Sequence, residues 1–268
     1  MNNGIIYITY GIKYVRAALF SANSARRVMP DIKIHLFVDQ PSMLELGLDK
    51  DTGPFTSMSV IENPHRRSKV DCISQTPFDR TLYLDSDTSV ERDIRTIFRL
   101  LDNFEFAATH AVRRNASRKS EYWNVQIPDA FPQFNGGVIV YKKTPNVMKL
   151  MRDWGESFGS AGHRHDQITL RELVWLSDVR SIALAPEYNV RFLKYKYLWD
   201  KGEATAMILH LKQYHDGWGG WYWTRVKNGF VGAMSILPYP LRWLTGFEWY
   251  MRRRKNTISA KKAKKTKG

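Results

Sequence analysis

Two carboxylates, Asp85 and Asp87, stand one residue apart in TLYLDSDTSV, residues 81–90. Leu82, Tyr83 and Leu84 before them are apolar and β-favouring, and Pro77-Phe78-Asp79 supplies a turn signal upstream. A buried strand thus ends in two acids. Side chains alternate in direction along an extended backbone, so Asp85 and Asp87 point the same way if the segment stays extended. Nearby carboxylates repel and raise each other's pKa. A divalent cation removes that conflict. Hard oxygen ligands beside a phosphate-bearing substrate are the usual setting for Mg²⁺ or Mn²⁺. A solvated turn is the alternative, because Asp and Ser are common where strands end. The triplet alone does not decide between them.

The surrounding pattern predicts how such a pair would be held. GIIYIT (4–9) reads as a first buried strand. A helix follows, with Val15, Ala18, Leu19, Ala22 and Met29 on one face and Arg26-Arg27 near its end. KIHLFVD (33–39), SMSVI (57–61), RTLYL (80–84), FEFAAT (104–109), GGVIVY (136–141), SIALA (181–185) and AMILH (206–210) read as further strands. Residues 68–74 are compatible with a short helix, and 91–102, 145–158 and 166–176 read as helices. No internal repeat is present. Strands that alternate with helices and run continuously apolar predict an α/β fold, a mostly parallel sheet with helices on both faces. Ligands bind such sheets at the carboxyl ends of the strands. Asp39, Asp85 with Asp87, and His210 all end strands, and the first strand ends in Thr9-Tyr10-Gly11.

Length and charge set the bounds. The 268 residues suit one large α/β domain or two small ones. Cys72 is the only cysteine, so no internal disulfide can form. The N-terminal MNNGIIYITYGIKY lacks a basic n-region and a long apolar core; it does not read as a signal peptide, and a cytoplasmic setting is expected. The net charge of +15 is uneven: residues 251–268 hold nine Lys or Arg and no acid, leaving +6 for the rest. That tail is nearly devoid of apolar residues and is expected to be disordered. Ahead of it, residues 217–250 carry Trp218, Trp221, Trp223, Trp243, Trp249, Tyr222, Tyr239 and Tyr250. The run FVGAMSILPYPLRWLTGFEWYM (230–251) has two prolines, an Arg and a Glu, and makes a poor spanning helix. Interfacial aromatics before a basic tail fit a peripheral contact with an anionic membrane surface. Aromatics that complete the core, with a solubilising tail, fit equally. Basic residues interleaved with aromatics also suit nucleic acid, but the charge sits in the tail and the acids at strand ends, which argues against a nucleic-acid module. Another Mg²⁺- or Mn²⁺-dependent nucleotide enzyme, such as a nucleotidyltransferase, often has a Gly-rich phosphate loop near the first strand, and none is present.

Five segments, in order, carry a family resemblance. TLYLDSDT (81–88) resembles the Asp-x-Asp segment of GT-A glycosyltransferases, which use nucleotide-sugar donors. PQFNGGVIVYKK (132–143), HDQITLREL (165–173), LAPEYNVR (184–191) and ILHLKQYH (208–215) resemble later segments of the retaining glycosyltransferase family 8 and its relatives. The five segments lie between residues 81 and 215, and the resemblance, covering roughly residues 4 to 215, implies a single GT-A-like, Rossmann-related catalytic domain over 1–216. Family 8 typically ends in His-x-x-Gly-x-x-Lys-Pro-Trp. HLKQYHDGW (210–218) departs from it, leaving both Lys212 and His215 as candidates for the diphosphate.

The resemblance also implies roles. Asp85, Asp87 and His210 would hold the metal, and the imidazole tilts the expectation to Mn²⁺ over Mg²⁺. Ser86 lies between the two acids at the donor. Thr9, Tyr10 and Gly11 would lie beside the nucleotide, with Tyr10 stacking on the base, or would form an ordinary strand-to-helix turn. Asp39 would contact base or ribose, or be a solvated strand end. Lys69 would neutralise a phosphate, or be a surface lysine. Asn135, Gly136 and Gly137 would floor the donor-sugar site, and glycines inside an apolar strand mark close approach or a bulge. Asp166 would bind sugar hydroxyls, or cap a helix. Gln167 would face the anomeric carbon. An amide is no base, which favours transfer with retention. The implied activity is that of a hexosyltransferase, moving a sugar from a UDP-sugar to a glycan or lipid-linked acceptor.

Overall fold

A computed structural model describes residues 2–112, 121–163, 165–200 and 202–216. The aromatic segment 217–250 and the basic tail 251–268, with the membrane contact expected of them, lie outside the described residues. In chain order the elements are β1 (Asn3–Thr9), α1 (Ile12–Val28), β2 (Lys33–Val38), α2 (Gln40–Glu45), β3 (Ser57–Val60), α3 (Lys69–Cys72), β4 (Arg80–Leu84) and β5 (Thr88–Val90). They continue with β6 (Phe106–His110), β7 (Phe134–Lys142), α4 (Pro145–Ala161), α5 (Gln167–Leu176), β8 (Ser181–Leu184), α6 (Leu193–Leu198) and β9 (Ile208–His210).

Seven strands form one sheet in the order β3-β2-β1-β4-β7-β6-β8. All neighbours pair in parallel except β7, which runs antiparallel to both β4 and β6. Alternate residues of each central strand enter opposite cores. Ile5, Tyr7, Leu82, Leu84, Val138 and Val140 pack on one side with Val15, Ala18, Ala22 and Ala25 of α1. Ile6, Ile8, Tyr83, Ile139 and Tyr141 pack on the other with Val70, Met151, Trp154 and Leu170 from α3, α4 and α5. Burial on both faces explains the continuous apolar runs. It also hides strand direction, because a strand buried on both faces reads the same either way. The expected mostly parallel sheet with helices on both faces is what forms, and the reversal of β7 is the feature the pattern did not carry.

That reversal positions the site. It brings the start of β7 to the carboxyl end of β4, where the ladder closes with Leu84 opposite Val138 and Asp85 N–H donating to Gly137 O at 2.8 Å. Beyond Asp87 the chain leaves the main sheet for β5, which pairs antiparallel with β9 in a separate two-stranded ribbon. Thr88 lies directly opposite His210. A chain of hydroxyls anchors the ribbon to the main sheet: Tyr7 Oη to Ser21 Oγ at 2.9 Å, and Ser21 Oγ to Thr88 Oγ1 at 2.6 Å. The helix expected over 91–102 is a 3-10 helix over Arg95–Asp102; its buried residues repeat both at three (Phe98 and Leu101) and at four (Ile97 and Leu101), a pattern that does not separate a three-residue turn from an α-turn. Among the described residues no helix is long and apolar enough to cross a membrane.

Candidate active site

Asp85, Asp87 and His210 offer ligand atoms that all lie within 4.8 Å of one another. His210 Nε2 sits 2.8 Å from Asp87 Oδ1 and 3.5 Å from Asp85 Oδ2. The ring is 2% exposed, held from behind by Asn189, whose Oδ1 is 2.8 Å from Nδ1. Burial pushes the Asp87 carboxyl up, but His210 first, then His215 and Arg191, outweigh it and hold Asp87 well below the usual carboxylate range. A Cβ built on Gly137 would collide with His210 Cε1 and lie 2.6 Å from Asp85 Oδ2. Only glycine leaves the space between these groups open. Two carboxylates and an imidazole turned into one cleared space are a donor set that fits a divalent cation.

Behind Asp85 lies a second charged layer. Tyr83 Oη donates to Asp85 Oδ1 at 2.6 Å. Burial, reinforced by Asp85, raises the Tyr83 pKa well above its usual value, so the phenol stays a donor. Lys69 is no surface lysine. Its Nζ donates to Gly136 O at 3.0 Å, pairs with Asp166 Oδ2 at 2.7 Å and stands 3.8 Å from Asp85 Oδ1. The Tyr83 and Trp154 rings lie 5.9 and 5.7 Å from it. Burial works against the ammonium, but Asp166 and Asp85 hold its pKa above the ordinary lysine range. Asp166 occupies the residue before α5 without capping it by its side chain; the carboxylate turns to Lys69, with Arg67 Nη1 at 3.7 Å. Burial would raise the Asp166 pKa, yet Lys69 and then Arg67 keep it below the usual range. Gln167 is half-buried.

The remaining candidates fall around this centre. Asn135 Oδ1 accepts from Gly137 N–H at 3.0 Å and from Asn189 Nδ2 at 2.9 Å. Ser86 Oγ shares a hydrogen bond of 3.0 Å with His215 Nε2, while His215 Nδ1 lies 4.0 Å from Asp87 Oδ2. Burial holds His215 below the usual histidine range against the pull of Asp87 and Asp85. The His215 ring meets Tyr14, from the first turn of α1, edge-on at 4.9 Å. Lys212 is exposed and forms no ion pair with a described residue. Asp39 is neither solvated nor open: Oδ1 accepts from Gly11 N–H at 2.8 Å, and Oδ2 accepts from Ser42 N–H at 3.0 Å and Ser42 Oγ at 2.7 Å, capping α2. Burial raises its pKa, but these hydrogen bonds outweigh that and lower it. Gly11 takes φ +86°, a conformation that favours glycine. Thr9 Oγ1 is buried with no hydrogen-bond partner among the described residues, and Tyr10 is 45% exposed. Sequence reasoning missed Asn189, Tyr83, Arg67 and Arg191. Asn189 lies inside LAPEYNVR, but only its partners reveal its place.

No protein-family model matches the chain, and no curated protein matches it. Solved structures do. The galactosyltransferase LgtC, crystallised with donor and acceptor sugar analogues, superposes with a TM-score of 0.57 at 14% identity, over 89% of this chain and 99% of its own. Mouse xyloside xylosyltransferase 1 gives 0.52 at 12% identity, over 78% of this chain and 97% of its own. The glycosyltransferase GlyE of Streptococcus pneumoniae TIGR4 gives 0.52 at 20% identity, over 77% of this chain and 53% of its own. The chain has the GT-A glycosyltransferase fold. In that sheet Asp85 and Asp87, two of the three side chains that could hold a cation, follow the carboxyl end of β4. The narrower likeness to family 8 is carried by neither the family models nor the structural matches.

Proposed function

We propose that this chain is a metal-dependent glycosyltransferase that moves a sugar from a nucleotide-diphosphate sugar, a UDP-sugar by expectation, to a glycan or lipid-linked acceptor. One observation carries the reading: Asp85, Asp87 and His210 converge at the strand ends on a space that Gly137 keeps clear. Asp85 and Asp87 through their oxygens, and His210 through Nε2, would hold the cation, Mn²⁺ in preference to Mg²⁺ because an imidazole is in the set. When bound, the cation would supply positive charge that offsets the charge growing on the leaving diphosphate.

The chain's own residues do the rest. Thr9, Tyr10 and Gly11 would border the nucleoside, with Asp39 fixing that turn through Gly11 N–H. Ser86 and His215 would face the diphosphate, with Lys212 from the following turn. Asn135, Gly136 and Gly137 would floor the sugar. Lys69 balances Asp85 and orients Asp166, which would accept from sugar hydroxyls. Gln167 would steady the anomeric centre without acting as base. The departing phosphate oxygen would then take the acceptor's proton on the same face, giving retention. The aromatic and basic C-terminal residues would bring the enzyme to an anionic membrane carrying the acceptor.

The test is nucleoside diphosphate release across a panel of nucleotide sugars, with Mn²⁺ and with EDTA. Metal-dependent release from one donor by the wild type, absent in Asp87→Ala, supports the reading and names the sugar. Release that persists in EDTA, or in Asp87→Ala, refutes it.

A further inference from the structure

Asp85 follows β4 of the main sheet, whereas Asp87 leads into β5 and His210 ends its partner β9 in the two-stranded ribbon. The ribbon's own pairing sets His210 beside Asp87, with Leu211 N–H donating to Asp87 O at 2.8 Å. That pairing neither orients the His210 ring nor ties it to the main sheet. The hydrogen bonds around Asn189 do both, and their directions can be worked out from one unambiguous donor. Gly137 N–H is backbone and donates to Asn135 at 3.0 Å, so the receiving atom is the Asn135 oxygen. The Asn189 group 2.9 Å from that same oxygen must be its amide nitrogen, which also reaches Thr109 Oγ1 at 2.8 Å. The Asn189 oxygen therefore faces His210 Nδ1 at 2.8 Å. An acceptor there holds a proton on Nδ1, so a ring that releases its Nε2 proton to a cation keeps the Nδ1 one and presents the Nε2 lone pair to the space shared with Asp85 and Asp87.

We propose that Asn189 is the positioning residue of the metal centre. It ties His210 of the ribbon to Thr109 on β6 and Asn135 on β7, and it fixes the tautomer that makes Nε2 a ligand. Asn189 is 3% exposed, directly follows the 3-10 turn Pro186–Tyr188 after β8, and meets the cluster through His210 Nδ1. Adjacent backbone strengthens the register: Val190 N–H donates to Ile208 O at 2.9 Å and His210 N–H to Val190 O at 3.0 Å. The inference rests on the proposed metal site, and partners of this kind typically change metal affinity by roughly 10–100-fold.

Mn²⁺ binding by electron paramagnetic resonance, which counts free aquated Mn²⁺ without any turnover, tests it on the full chain. Asn189→Leu keeps the volume and removes both the acceptor for Nδ1–H and the donor to Asn135 and Thr109; Asn189→Asp keeps the acceptor but loses the donor. Asn189→Leu should weaken Mn²⁺ binding by roughly 10–100-fold, and Asn189→Asp should weaken it by less. Equal affinity in wild type and Asn189→Leu, or a greater loss in Asn189→Asp than in Asn189→Leu, overturns the proposal. A wild type that binds no Mn²⁺ overturns the metal reading itself and this inference with it. Should Asn189→Leu fail to fold, the wild type decides: ¹⁵N correlation of the protein loaded with diamagnetic Mg²⁺ should place the His210 proton on Nδ1. A proton on Nε2 overturns the proposal.

Discussion

Gly137 marks the tightest constraint at the scale of single residues. A methyl group there enters the His210 ring and crowds Asp85. Gly137→Ala should cut metal-dependent turnover by roughly 10²-fold, the usual consequence of displacing catalytic groups by about an ångström, with Mn²⁺ affinity falling in parallel. Gly136 is less constrained, since its nearest neighbour would be the flexible end of Lys69 at 3.1 Å. Lys69 and Asp166 carry the second prediction. Removing one member leaves a buried charge without its partner, so Lys69→Met should cost about 3–5 kcal/mol of stability. Asp166→Leu in the same chain should return much of it, and chemical denaturation of the double-mutant cycle measures both. The pH dependence follows from the directions of the two shifts. Asp166 is depressed, so its contribution is present above the unfolded carboxylate value and is lost as pH falls through the folded one. Lys69 is raised, so its contribution is present below the unfolded lysine value and is lost as pH rises through the folded one. The pair therefore stabilises between about pH 4 and about pH 10, and Asp166→Asn should flatten the acid limb of a melting-temperature profile. The Asp-Ser-Asp triplet and His210 were legible in the sequence because their types and order carry chemistry. The burial of Lys69 was not, because a lysine opening a short helix looks alike whether solvent or Asp166 receives it.

Elements were legible where periodicity was long and hidden where it was short. Each long apolar run is a strand, and α1, α4 and α5 fall where the helical spacing put them. The six-residue helices α2 and α6 and the three-residue β5 offer too few turns or alternations to read. Two elements depend on single carboxylates that sequence reasoning weighed differently or passed over. Asp39 caps α2 and holds Gly11 at once, so Asp39→Ala should lose about 1–2 kcal/mol by urea denaturation and weaken nucleotide binding through the released turn. Glu172 of α5, 1% exposed, accepts from the backbone N–H groups of Trp123, Asn124 and Val125 at 3.0–3.1 Å. Glu172→Gln swaps one acceptor oxygen for an NH₂ aimed at donors. It should cost about 1–3 kcal/mol and speed amide exchange at Trp123, Asn124 and Val125.

At the scale of the whole molecule, one sheet edge gathers the chemistry. The ends of β1, β2 and β4, the start of the reversed β7, and the end of β9 bring Thr9, Asp39, Asp85, Asn135 and His210 to that edge. Acids and bases pair inside the site, and nine of the fifteen net positive charges lie in residues 251–268. The central claim is that the chain binds a nucleoside diphosphate through a cation held by Asp85, Asp87 and His210. Calorimetric titration of UDP into the full chain, with Mn²⁺ and again with EDTA, tests it most directly, using Asp85→Asn and Asp87→Asn beside the wild type. The account predicts binding with Mn²⁺ that disappears in EDTA and in both variants. UDP binding of equal strength with and without the metal, or in the variants as in the wild type, would contradict it.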